Sequence, residues 1–409
     1  MRYLSVGTFV LSLAASAAAA VADTLVVPSE EFPTIQAAVD AAAAGDLVLV
    51  GPGTYPESPY LESLTGVEIR GRGGAVILPP GDEAGFTLLG CEGISITGFA
   101  VEGGGDGVYA EVSSALTLTR LRFAGAGGAG VALVSCDGVL VSRCAFSGGI
   151  RGISDESSAA LRIERCVFDG TTGDALRLSP FAGENGGSNG AVVTKNRISA
   201  GGAAIRFAGE DAEISRNRLD GYGEYGIEIA FGTSSDRTVL SRNRLSSGGG
   251  AVGIKVNHPQ VTVSRNVLVG GAIYFDYDSQ VAEGNRVVGA IWGVYSSGND
   301  CTITGNRMQS LQAFGIRSNG SACTIAGNVL AGVGGSGIEI GGPGQTIEGN
   351  RVSGATGNGI DITTTGNTVT GNRVSGSGGA DLRDHNPEGA NTYEDNRFGT
   401  VEFEPALPG

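Results

Sequence analysis

Along most of the chain, aliphatic residues bracket an asparagine in the pattern aliphatic-x-x-Asn-x-aliphatic. TITGNRMQSL begins at Thr302, TIAGNVLAGV at Thr324, TIEGNRVSGA at Thr346 and TVTGNRVSGS at Thr368. The asparagines fall at 196, 217, 243, 266, 285, 306, 328, 350, 372 and 396. Upstream, Cys166, Cys144, Leu121 and Phe99 occupy the same slot, with Phe168, Phe146, Phe123 and Val101 two residues later. A second element of period two precedes each unit: GIEIA at 226, GIKVN at 253, GIRSN at 315, GIEIG at 337 and GIDIT at 359. Alternation of that kind marks short strands with one buried face.

A repeat of about 22 residues is too short for a helical hairpin and lacks the leucine-rich consensus, but it suits one coil of a parallel β-solenoid. The expectation is an all-β, right-handed, single-stranded parallel β-helix of about fifteen coils, roughly 70 Å long at about 4.8 Å per coil. Asn is expected to take the left-handed bend between two strands and to bond its amide to the coils above and below. Gly305, Gly327, Gly349 and Gly371, each preceding an Asn, fit the same bend. Asparagines in such a register form a structural ladder, not a site.

The ends differ from the repeats. Arg2, the apolar stretch 4–15 and Ala20-Val21-Ala22 form an export signal over 1–22, with cleavage before Asp23. Residues 23–50 are read as a cap. Pro33 opens an Ala-rich helical stretch, Ile35 and Val39 lie four apart, and Gly45 closes it before a strand at 47–50. Such a helix covers the open core of the first coil. The β-helix is assigned to 51–398 and a tail to 399–409. No second apolar stretch is long enough to span a membrane. The mature chain is therefore expected to be exported, periplasmic or extracellular, and monomeric.

Composition narrows the partners. The net charge of −15 disfavours nucleic acid and anionic membranes, and an anionic polymer would need a local Arg/Lys cluster or a bridging cation. There are 71 Gly without a three-residue period, so collagen is excluded. Of six Cys, Cys301 and Cys323 should stack on adjacent coils at disulfide distance. Cys144 and Cys166 stack in the ladder slot, and Cys91 and Cys136 share a register two coils apart. None has metal-ligand spacing, and the two histidines, His258 and His385, are far apart, so no metal site is expected. No cofactor is expected either; Ca2+ has no motif behind it.

Function should lie on an outward strand face. The residue after each inward Ile forms a column that includes Tyr109, Arg177, Arg206, Glu228, Lys255, Tyr274, Tyr295, Arg317, Glu339 and Asp361. Asp276 and Asn319 lie two residues beyond. Rings beside carboxylates and cations suit a polysaccharide, since rings cover sugar C–H faces and ionic groups bind hydroxyls. Tyr274, Asp276, Tyr295, Arg317, Arg177, Arg206 and Glu228 are the candidate binding residues. Three readings of the charged groups stay open. Glu339 and Asp361, about 5 Å apart, match the carboxylate pair of a retaining glycosidase. Lys255 or Arg317 could act as the base of a lyase, with Asp276 or Glu339 holding a cation. Alternatively, Arg317–Glu339 and Glu228–Lys255 are plain cross-strand ion pairs. Loops that wall a cleft are sparse. The clearest is 179–190, followed by 230–237, both near Arg177, Arg206 and Glu228.

FPTIQAAVDAA…GDLVLVGPGTYPE, the GIxI…xIxGNxI units and the ending DLRDHNPEGANTYEDNRFGT resemble pectin-lyase-like right-handed β-helix proteins, a group that includes NosD-type periplasmic proteins. The resemblance covers nearly the whole mature chain and implies the β-helix fold. It implies function only broadly, because that fold hosts lyases, hydrolases, epimerases, esterases, adhesins and accessory proteins. The acidic-His signature of the fold's alginate epimerases is absent, as are the paired-Asp and His motifs of polygalacturonases and calcium-binding nonapeptides. The leading expectation is a noncatalytic carbohydrate-interacting protein. The alternatives are a polysaccharide lyase or glycoside hydrolase, and a NosD-like accessory or structural surface protein; scarce His and Met disfavour copper handling.

Overall fold

A computed structural model describes residues 22–179, 187–231, 236–247 and 252–404. The expected export signal and most of the 179–190 loop lie outside these residues, as does the middle of the 230–237 loop.

Three parallel sheets run the length of a β-solenoid, with 17, 15 and 16 strands. Each coil contributes one short strand to each sheet in turn. In one coil these are Thr302–Thr304, Arg307–Leu311 and Ile316–Ser318. Every strand pairs with its equivalents one coil away, as in Ile303 with Ile325 and Met308 with Leu330. There are about 17 turns rather than fifteen, because pairing starts earlier and ends later than the repeat motif does. Thr24–Val27 already pairs with Leu47–Val50, and Val401–Phe403 pairs with Leu382–Asp384 inside the stretch taken as a tail.

The inward residues form one continuous core: Ile303, Ile325, Ile347 and Val369 in the first sheet are fully buried. In the second sheet, Phe123, Phe146 and Phe168 stack with ring centroids 4.9 and 4.5 Å apart. At the N-terminal end the helix Ile35–Ala41 buries Ile35, Ala38 and Val39. Thr34 caps its first turn, and the Glu57 carboxylate accepts from the N–H groups of Ile35 and Gln36 at 3.1 and 3.2 Å. The cap is short because one apolar face is all it must supply.

The asparagine ladder is continuous from Asn196 to Asn396. Each Oδ1 accepts from the backbone N–H and Nδ2 of the Asn one coil earlier, at 2.8–3.1 Å. Each Nδ2 also donates to a strand carbonyl, as Asn306 does to Ala282 at 2.8 Å. Cys166 joins the ladder through its N–H, which donates to Asn196 at 2.9 Å. A second, shorter ladder runs Gln345, Asn367, Asn391.

The bend itself is made differently from the expectation. The left-handed residue is the one before the ladder position, not the Asn: Gly305 (φ +63°) and Gly371 (+66°) in later coils, Arg165 (+56°), Lys195 (+59°) and Arg216 (+56°) in earlier ones. The Asn is thereby left free to bond along the rod. A non-glycine residue in that conformation costs about 1 kcal/mol. The Gly of the GI strands has another cause. A Cβ on Gly315 would overlap the Leu330 side chain and the Gly337 carbonyl, so close packing of loop against core excludes any side chain there.

Candidate functional site

The outward column of the third sheet has the expected register. Arg177 pairs with Arg206, Arg206 with Glu228, Glu228 with Lys255, Lys255 with Tyr274, and Tyr274 with Tyr295. Tyr295 then pairs with Arg317, Arg317 with Glu339, and Glu339 with Asp361. Because the alternate residues, from Leu176 and Phe207 to Ser318 and Ile362, are buried, these side chains face out.

At the centre, Tyr274 and Tyr295 stack with centroids 4.6 Å apart and planes at 14°. Both rings are half-buried, and Asn319 Nδ2 donates to the Tyr295 hydroxyl at 3.1 Å. Burial, with the Asp276 carboxylate and the Tyr295 hydroxyl alongside, pushes the Tyr274 phenol up to about 12. The Tyr274 ring is therefore neutral at ordinary pH.

On the N-terminal side lies a charged cluster. The Arg206 guanidinium reaches Asp174 at 3.1 Å, Glu224 at 2.8 Å and Glu228 at 3.2 Å. Lys255 faces Asp276 at 4.0 Å and lies 5.6–6.0 Å from the rings of Tyr225, Phe231 and Tyr274. The pairing expected between Glu228 and Lys255 is thus redistributed: Glu228 goes to Arg206, because the Arg fork reaches three carboxylates, and Lys255 goes to Asp276. Burial raises the Glu228 carboxyl against the opposing pull of Arg206 and Lys255, and raises Asp276 against Lys255 and the Tyr274 hydroxyl.

On the C-terminal side a shallow depression of about 360 Å³ is lined by Arg317, Asn319, Glu339, Asp361, Thr363 and His385. Arg317 pairs with Glu339 and lies over the Phe314 ring, 4.3 Å from its centroid. Asp361 accepts from Asn358 at 2.7 Å and pairs with His385 Nε2 at 2.9 Å. The two candidate acids therefore each have their own partner. His385 was not among the sequence candidates, since the two histidines were weighed only as a metal pair. Extending the row Asn319, Gly341, Thr363 by one coil reaches it. Phe231 and Asn358 were missed because loop residues carry no period, and Tyr225 because it opens its strand ahead of the inward Ile227.

Cys301 and Cys323 do lie on adjacent coils, since Thr302 pairs with Thr324, but they are free thiols, not a disulfide. Each sulfur sits against backbone carbonyls, Cys301 against Tyr277 at 3.4 Å and Cys323 against Gly298 at 3.3 Å. Hydrogen bonding between the two thiols pushes Cys301 up and pulls Cys323 down.

A family model described as a right handed beta helix region matches residues 84–236, and one described as periplasmic copper-binding protein (NosD) matches 283–403; each spans less than half of the chain. Copper would need grouped His, Cys or Met donors. Among the described residues no group of three or more His, Cys, Asp or Glu is placed to hold a metal, and every Cys is buried as a structural thiol, so the residues do not fit that ion. A cell surface glycoprotein of Methanothermus fervidus is 32% identical over 94 residues, which is 22% of this chain and 15% of that protein. The catalytic domain of a GH87 alpha-1,3-glucanase, in complex with tetrasaccharides, superposes with a TM-score of 0.55 at 13% identity, covering 77% of this chain and 66% of the other. The Siphovirus 9NA tailspike receptor binding domain gives 0.53 at 9% identity, covering 94% and 76%. This chain spans less than two thirds of the glycoprotein and of the glucanase domain. At these identities the solved structures speak for the fold, and with the three sheets and the ladder they identify the chain as a right-handed parallel β-helix repeat protein.

Proposed function

We propose that this protein binds polysaccharide along the outward face of its third sheet, from Arg206 to His385, without cleaving it. The observation that carries this reading is the Tyr274–Tyr295 stack, two half-buried rings offered in register beside Lys255, Asp276, Asn319 and Arg317. Two rings one coil apart match the advance of a sugar chain laid along the rod, and the flanking ionic groups supply hydroxyl partners. The Arg317–Glu339 and His385–Asp361 pairs support a binding role, since a general acid or nucleophile at either carboxylate must first leave its partner.

One observation favours a second reading. The Asp361–His385 pair borders a depression that also holds Glu339, so a hydrolase or lyase centred there remains the alternative. A glycan array together with a polysaccharide-degradation screen separates them. Binding with no new reducing ends and no unsaturated uronate supports the first reading. Product formation abolished by Glu339→Gln or Asp361→Asn establishes the second, and absence of glycan binding removes the first.

A further inference from the structure

The left-handed position before the ladder carries a second feature. In seven consecutive coils it holds Arg120, Arg143, Arg165, Lys195, Arg216, Arg242 and Arg265, all at φ between +53° and +59°. The next five coils use glycine at the same position, from Gly284 to Gly371. Glycine takes this conformation freely and a long side chain does not, so the backbone explains the glycines and leaves the seven cations unexplained.

These cations are stacked in register, because the preceding residues pair coil to coil: Thr119 with Ser142, Ser142 with Glu164, Glu164 with Thr194, and on to Ser241 with Ser264. Beyond the ladder residue, Arg122, Arg197, Arg218 and Arg244 add a second column on four of the same coils. All eleven are exposed, out of 27 Lys and Arg in a chain of net charge −15. Among the described residues one of the eleven is ion-paired, Arg218 with Asp220 at 2.5 Å. The preceding row is Thr or Ser in six coils. Its one acid, Glu164, faces Arg162 at 3.6 Å.

We propose that this turn is an anionic-polysaccharide site, a straight basic ridge about 30 Å long with one or two cations per rung of about 4.8 Å. It lies at the corner between the first and second sheets, so it is a surface separate from the third-sheet face and independent of the reading given to that face. Net charge does not argue against it: acidic groups elsewhere on the rod are screened beyond about 8 Å at physiological salt. A linear carboxylated or sulfated glycan repeats its charge at a spacing close to one rung, and the half-buried Thr119, Thr194, Ser241 and Ser264 of the preceding row lie beside it, whereas Ser142 and Ser215 are buried. Single-stranded nucleic acid would call for aromatic platforms, and neither column contains an aromatic residue.

The test is titration of the full chain with polygalacturonate and with heparin at low and physiological salt. Arg165→Gly/Arg216→Gly/Arg242→Gly removes three charges while placing in the bend the residue that suits it, so folding is retained and the melting temperature does not fall. The expected result is salt-sensitive binding of the wild type, weakened at least about tenfold in the triple Gly variant and largely kept in the matching triple Lys variant. Polyanion binding that Tyr274→Ala/Tyr295→Ala loses and the triple Gly variant keeps belongs to the third-sheet face and overturns the proposal. Equal binding by wild type and triple Gly variant overturns the proposal. So does the absence of polyanion binding, or binding of single-stranded DNA or phosphatidylserine vesicles with both polysaccharides ignored.

Discussion

Asn328 Oδ1 accepts two hydrogen bonds from Asn306, from its backbone N–H at 2.9 Å and from its Nδ2 at 3.0 Å. Asn328 in turn donates to Ile303 at 2.8 Å and to Asn350 at 3.0 Å. Removing this one fully buried amide orphans the Asn306 N–H and takes from the Ile303 carbonyl its side-chain donor. Asn328→Ala should therefore cost about 3 kcal/mol, several times an ordinary surface change. Urea denaturation checks this; a loss under about 1 kcal/mol would mean the ladder is ornamental.

Two glycines separate conformation from packing. A Cβ on Gly371, at φ +66°, meets nothing nearer than the Gly349 nitrogen at 3.9 Å. Gly371→Ala is expected to cost about 1 kcal/mol, from backbone conformation alone. Gly315→Ala drives a methyl into Leu330 and the next coil and should cost about 3 kcal/mol or prevent folding. Comparable losses at the two positions would contradict the assignment.

Asp155 is a buried carboxylate whose Oδ2 accepts from Ser179 at 3.3 Å and from Ser188 at 2.5 Å, with no cation paired to it among the described residues. Burial raises its pKa from 3.8, opposed by the serine hydrogen bonds. A raised acid contributes stability below its unfolded value and loses it as pH climbs through the folded value. Asp155→Asn should thus gain on the wild type as pH rises from about 4 to 7. Thermal melts across that range read the difference; a constant offset refutes it.

All six thiols should react with an alkylating reagent once the chain is unfolded without reductant, and none should react quickly beforehand, because each is buried. Recovery of four would show that one stacked pair, Cys301–Cys323 or Cys144–Cys166, bridges.

The architecture was legible in the sequence because a solenoid writes its register into the spacing of its residues. The same period that located Asn306 and Asn328 also placed Tyr274 above Lys255 and Glu339 above Arg317. What period cannot carry is side-chain choice between neighbours. Arg206 could have met Arg177 or Glu228 by register alone; its three-acid contact depends on Asp174 and Glu224 in the loops. His385 lies one coil past the last GI strand, and the bend was placed on Asn because Asn tolerates the left-handed conformation better than most non-Gly residues. The ridge escaped notice because the total charge pointed the other way.

The central claim is that the stacked tyrosines bind glycan. It is tested most directly by equilibrium binding of a soluble polysaccharide, taken from the array, to wild type and to Tyr274→Ala/Tyr295→Ala, with unchanged melting temperature as the folding control. The expected loss is about 10- to 100-fold, or 1.4–2.8 kcal/mol. Undiminished affinity in the double variant would contradict it.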